Sequence, residues 1–181
     1  MPRIQPVDRE AVPEATQKLL AGVEKKLGMV PNVIATLAQS TAAAQAFLGF
    51  SQALAGGVIS PQLREQIALA VSEANQCGYC VAAHSAVGNS VGLSVDQLRD
   101  ARTATSPDRQ TEVALQFARC IVDKQGFVSN DDIEDMRNAG YAEQAIVEVT
   151  AHVALNIFTN YFNHVAETDV DFPAVAELNA A

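Results

Sequence analysis

The chain has no tryptophan, and aromatic residues make up only 6% of its 181 positions, so a sheet built on aromatic contacts has little to draw on. Its 3 cysteines are too few, and odd in number, for the disulfide framework of a secreted domain. No apolar run reaches the roughly eighteen residues of a membrane span. The N-terminal residues hold no apolar core of signal-peptide length either. Basic residues are scarce: 12 Lys and Arg against 21 Asp and Glu leave a formal charge of -9, a field that repels a phosphate backbone. These absences argue against nucleic acid and membrane as partners, and make a soluble cytoplasmic protein the expectation.

What is present suits helices. Hydrophobic residues reach 49% with Ala throughout, and the length fits one domain burying roughly two-thirds of its unfolded surface. The fold class expected is all-α, a single domain over residues 1–181 with 1–12 as an extended, proline-bearing arm that could lie on a partner subunit. Leu19, Leu20, Val23 and Leu27 recur at helical spacing ahead of Gly28. Ser40-Thr41, Ser60-Pro61, Ser94, Ser106-Pro107 and Ser129-Asn130 carry helix-start chemistry. The stretch from Gly88-Asn89 to Gly92-Leu93 reads as a loop, and residues 142 to about 165 as one long apolar helix.

The chemistry gathers at Cys77-Gly78-Tyr79-Cys80 and His84. Were residues 73–84 one helix, rotation of about 100° per residue would put Glu73, Cys77, Cys80 and His84 on one stripe. A Cys-x-x-Cys pair opening a helix brings two sulfurs within bonding reach, and the amides there favour a thiolate on the first cysteine. His84 is placed to take a thiol proton, with Glu65 or Glu73 to orient the imidazole. Spacing alone does not choose between the two carboxylates.

The run Leu63-Arg64-Glu65-Gln66-Ile67-Ala68-Leu69-Ala70-Val71, then Asn75-Gln76-Cys77-Gly78-Tyr79-Cys80 and Ala83-His84, resembles the core of the alkylhydroperoxidase D and carboxymuconolactone decarboxylase superfamily. Met29-Val30-Pro31-Asn32 and the run from Ala151-His152 to Asn163-His164 resemble its uncharacterised peroxidase-related branch. The resemblance implies an alkylhydroperoxidase D-like helical bundle and a dithiol peroxidase in antioxidant defence. It also implies Cys80 as the thiol that attacks peroxide, Cys77 as the resolving partner, His84 as base, and Glu65 and Tyr79 in the proton relay. A hydroperoxide substrate, an external dithiol reductant, lipoyl-bearing or thioredoxin-like, and assembly as a homo-oligomer follow from the same likeness, with no cofactor. The helix-terminus argument differs on one point, favouring Cys77 as the more acidic thiol.

Other readings are blander. Cys77, Cys80 and His84 could hold a structural zinc, but they lack the loop of a zinc knuckle. Cys120, among Leu115, Phe117 and Ile121, reads as an inert core thiol. His152, Asn156, Asn160 and Asn163 form a polar stripe read chiefly as a hydrogen-bonded helix interface, with a pocket-lining role as the alternative. His164 suits a helix C-terminus, and the acidic run from Asp131 to Asp135 a helix first turn. The rival functions are a carboxymuconolactone decarboxylase-type lyase, which would not need the cysteine pair, and a non-catalytic thiol redox sensor or binding module.

Overall fold

The computed structural model describes residues 1–178. Among these residues there is no strand, and nine helices follow one another: α1 (Glu14–Leu27), α2 (Asn32–Leu37), α3 (Thr41–Ala55), α4 (Pro61–Ala74), α5 (Gly78–Ser90), α6 (Val95–Arg102), α7 (Arg109–Asp123), α8 (Asn130–Asn138) and α9 (Glu143–Ala166). The fold is all-α, as composition indicated.

Local chemistry explains most of the boundaries. Ser40, Ser60, Ser94 and Ser129 each accept an amide three residues on, and Ser94 and Ser129 complete reciprocal capping boxes. Helix α7 starts later than Ser106-Pro107 suggested, because Asp108 takes the cap. Helix α5 runs through Gly88 to Ser90, where a loop was expected. Gly88 serves a close approach there: a Cβ would lie 2.6 Å from a Leu98 methyl, 3.2 Å from Leu93 and 3.6 Å from the Glu65 Cβ.

The expected continuous helix over 73–84 does not form. Gln76 sits in the left-handed region, at φ 55°, and breaks the chain between α4 and α5, leaving Cys77 as the N-cap of α5. Glu73 therefore leaves the cysteine stripe and accepts from Arg102 Nε at 2.7 Å.

Helix α4 is the central element, packed by α5, α6, α7 and α9. One side feeds an aliphatic cluster containing Ile67, Leu69, Val71, Leu115, Met136, Val149 and Val153. A second, smaller cluster gathers Leu20, Ile34, Leu37 and Ala44 with Cys77, Tyr79 and Cys80. The N-terminal arm packs on its own chain: Arg3 and Ile4 donate to the Ala166 carbonyl, and Val7 to that of Ala35. Beyond α9, the chain crosses the second cluster as a strap, with Phe172 edge-on to Tyr79 at 5.8 Å between ring centroids.

No Asp, Glu, Lys, Arg or His falls between Lys26 and Arg64. Helix α3 lies in that stretch with only Ala44 buried, and Phe50, Phe158 and Tyr161 are exposed on α3 and α9. Among the described residues, no helix is long and apolar enough to cross a membrane.

Candidate active site

The first turn of α5 sets the two thiols apart. Cys77, as N-cap, accepts the Cys80 backbone N–H at 3.4 Å, and both cysteines are free and buried. Hydrogen bonding from the Cys80 thiol, and less so from its N–H, draws the Cys77 pKa down against the opposing effect of burial, with the nearby His164 helping. Cys80 moves the other way. Its thiol proton is held by Cys77, and burial and a negative neighbour raise its pKa well above the usual thiol range. The expectation that the first cysteine is the more acidic agrees with this geometry.

Position distinguishes them a second time. Cys80, not Cys77, lines a cavity of about 370 Å³ bounded by α1, α2, α3, α4, α5, α9 and the strap. Its walls are mainly apolar, among them Val33, Phe47, Leu48, Leu155 and Phe172. Asn163 Nδ2 donates to Cys80 Sγ at 3.2 Å, a contact that favours the thiolate.

His84, one turn beyond Cys80, lines the same cavity, and its Nδ1 lies 2.8 Å from Glu65 Oε2. The choice between carboxylates is thus resolved for Glu65. A carboxylate on Nδ1 holds the proton there and leaves Nε2 as the acceptor.

Tyr79 has a different set of contacts. Its hydroxyl donates to Asp171 Oδ1 at 2.7 Å and accepts the Val33 N–H at 3.1 Å, while Asp171 Oδ2 accepts the Asn32 N–H at 2.7 Å. Pro31, the N-cap of α2, has no side chain that can cap, so Asp171 supplies the missing acceptor from far along the chain. Burial and then Asp171 raise the Tyr79 pKa, so the phenol keeps its proton. Its visible role is to pin the strap beside the thiols.

The polar stripe on α9 divides. Asn160 belongs to the helix interface, accepting from Asn75 Nδ2 at 2.9 Å and donating to Ser72 Oγ at 3.3 Å. His152, Asn156 and Asn163 line the cavity instead. The contact of Asn163 with the thiol was not anticipated, although its place on the stripe was the signal for it. His164 Nε2 lies 2.9 Å from the Asn75 carbonyl, closing the end of α4. Cys120 is partly exposed rather than in the core, beside Lys124 and Asp132, because α7 turns it off the face carrying Phe117 and Ile121. Among the described residues, no three or more His, Cys, Asp or Glu are grouped so as to hold a metal ion.

Residues 41–123, which contain the cysteine pair, Glu65 and His84, match the family model described as the carboxymuconolactone decarboxylase family. Over nearly its full length the chain is similar to an uncharacterised peroxidase-related protein with an alkylhydroperoxidase core from Ralstonia eutropha JMP134. The TM-score is 0.84 at 27% identity, over 94% of this chain and 92% of that one. Residues 41–123 are thus similar to the carboxymuconolactone decarboxylase family, and the chain has the alkylhydroperoxidase D-like fold. Two further structures share this fold. A peroxidase-related protein from Silicibacter sp. TM1040 has a TM-score of 0.82 at 24% identity, over 92% of each chain. A cysteine-to-alanine variant of the debrominase Bmp8, in complex with 2,3,4-tribromopyrrole, has a TM-score of 0.80 at 24% identity, over 93% of this chain and 91% of that one. The fold therefore hosts more than one activity. Comparison with curated proteins gave no match.

Proposed function

We propose that the protein is a dithiol peroxidase that reduces organic hydroperoxides, or hydrogen peroxide, in antioxidant defence in the cytoplasm. The observation that carries this reading is the Cys80 thiol in the wall of an apolar cavity, next to a second thiol that accepts the Cys80 backbone N–H, and one turn from a histidine paired with Glu65 at 2.8 Å.

His84 Nε2 accepts the Cys80 proton as the thiolate attacks the outer peroxide oxygen. The O–O bond breaks, Cys80 becomes a sulfenic acid, and the alkoxide leaves as the alcohol with the proton taken from the thiol. Cys77 then attacks the Cys80 sulfur, expelling water and forming the disulfide. An external dithiol, lipoyl-bearing or thioredoxin-like, returns the pair to its reduced state and is itself oxidised. The unequal thiols suit this sequence: Cys80 meets the substrate, and the more acidic Cys77 is ready to resolve the sulfenic acid. The exposed apolar side chains of α3 and α9, Phe50, Phe158 and Tyr161, are where copies of the chain would meet in a homo-oligomer.

The test is to mix reduced protein with one equivalent of an organic hydroperoxide and follow intact mass and peptide maps. The reading expects a Cys77–Cys80 disulfide formed far faster than a free thiol oxidises, and no such product from Cys80→Ser. Oxidation no faster than a free thiol would sink it. Lyase activity surviving a double Cys→Ser change would put the decarboxylase reading in its place.

A further inference from the structure

The cavity contains a buried group that the thiol chemistry does not use. His152, on α9, is 5% exposed and lines the cavity, and its Nε2 has no hydrogen-bond partner among the described residues. Buried polar atoms are normally satisfied, so an orphaned nitrogen facing a cavity marks a place where another molecule completes the bond. Burial first, and then the Arg64 charge, lower the His152 pKa, which keeps the ring neutral with a hydrogen to donate.

Arg64 lines the same cavity, near enough for its charge to act on His152. Its Nη1 donates to the carbonyls of Leu54 and Ala55, at 3.5 and 2.8 Å, so carbonyls rather than a carboxylate hold the guanidinium. Positive charge is thus held there without being neutralised by that contact. The two neighbouring carboxylates are engaged: Glu148 accepts the Val58 and Ile59 N–H groups at 2.7 and 3.2 Å, and Glu65 is paired with His84.

Helix geometry places this polar end far from the thiol. Asn163, which touches Cys80 Sγ, follows His152 on α9 by a separation worth about 16 Å of axial rise at 1.5 Å per residue. Asn156 and Thr159, between them, line the cavity too, as do Phe47, Leu48 and Leu155. The space is an apolar trough about three helical turns long, with a nucleophile at one end and a neutral donor beside a cation at the other.

We propose that His152 and Arg64 bind the carboxylate of the substrate, an organic hydroperoxide whose apolar chain lies along the trough and brings its peroxide to Cys80. The peroxide part rests on the function proposed above; the carboxylate part does not. His152 Nε2–H donates to one carboxylate oxygen and the Arg64 guanidinium to the other, charge-assisted bonds that gain strength between mainly apolar walls.

The experiment measures binding of decanoate, decanol and methyl decanoate to the reduced protein by calorimetry below their aggregation limits. Decanoate is expected to bind about tenfold or more tightly than either neutral probe. His152→Phe and Arg64→Met, checked for helicity and melting, should each bring decanoate to the level of decanol while leaving decanol unchanged. His152→Gln, which keeps a donor, should recover part of the difference. Equal affinity of acid and alcohol for the wild-type protein, or no binding of decanoate, overturns the proposal without reference to any variant. Decanoate bound tightly by a protein that hydroperoxides do not oxidise would remove the peroxidase reading and leave the carboxylate site standing.

Discussion

The larger hydrophobic cluster, from Ile67 and Leu69 to Leu115, Met136 and Val153, is built of aliphatic side chains with Phe117, whereas the smaller contains Cys77, Tyr79 and Cys80. Helix α4 contributes Ile67 and Leu69 to the first and Glu65 to the cavity beside the second; α9 likewise gives Val149 and Val153 to one and Asn163 to the other. The two regions share scaffolding helices and differ in task. Close packing on one side fixes the backbone, and side chains on the other side are free to be chosen for chemistry.

The largest expected effect tests that separation from the aliphatic side. Leu115 is fully buried in the larger cluster. Leu115→Ala should cost about 2–5 kcal/mol in urea denaturation, with the rate of Cys80 oxidation per folded molecule unchanged. A parallel loss of rate at low denaturant would mean that the clusters are coupled and the comparison is wrong.

Next comes the carboxylate that α4 delivers to the site. Glu65→Gln keeps the shape of the side chain but removes the charge that holds Nδ1–H of His84. Stopped-flow oxidation of Cys80 should slow by about 10²-fold, the scale of lost acid–base assistance, with the melting temperature little moved. An unchanged rate would return the base to Cys77, the neighbouring thiol with the lowered pKa.

Much of this division was legible in the residues. Serine starts, Gly28 and the apolar spacing marked the helices, and the Cys-x-x-Cys with Glu65 and His84 marked the site. What was not legible depended on contacts distant in sequence. The break at Gln76 carries no glycine or proline, so nothing local announced that Glu73 would turn to Arg102. Gly88 looked like a turn because close approach to Leu98 is visible only when α5 and α6 are packed. Tyr79 showed its proximity to both thiols, but its partner Asp171 lies on the other side of the chain.

That partner gives a smaller effect. Tyr79→Phe removes the donor to Asp171 and the acceptor for the Val33 N–H, and should cost about 1–3 kcal/mol. The strap should loosen before the fold does, so limited proteolysis within residues 167–173 should accelerate more than global unfolding. Equal acceleration of the two would make Tyr79 an ordinary core residue rather than a pin.

The smallest effect reads the two thiols against each other. Cys77, with its pKa lowered in the fold, binds fewer protons than in the unfolded chain between that lower value and the ordinary thiol value of about 8.5. Its contribution to stability is therefore full above that ordinary value and lost as pH falls through the lowered one. Cys80, raised in the fold, has the opposite sign: above about pH 8.5 the unfolded chain sheds a proton that the folded one keeps, and stability falls as pH rises. The reduced protein should thus show a stability maximum near the ordinary thiol value, read as urea midpoints between about pH 6 and 10. Cys77→Ser should flatten the acid side and Cys80→Ser the alkaline side. If Cys77→Ser instead flattens the alkaline side and Cys80→Ser the acid side, the proton lies on the other sulfur, and the order of attack and resolution assigned to Cys80 and Cys77 must be exchanged.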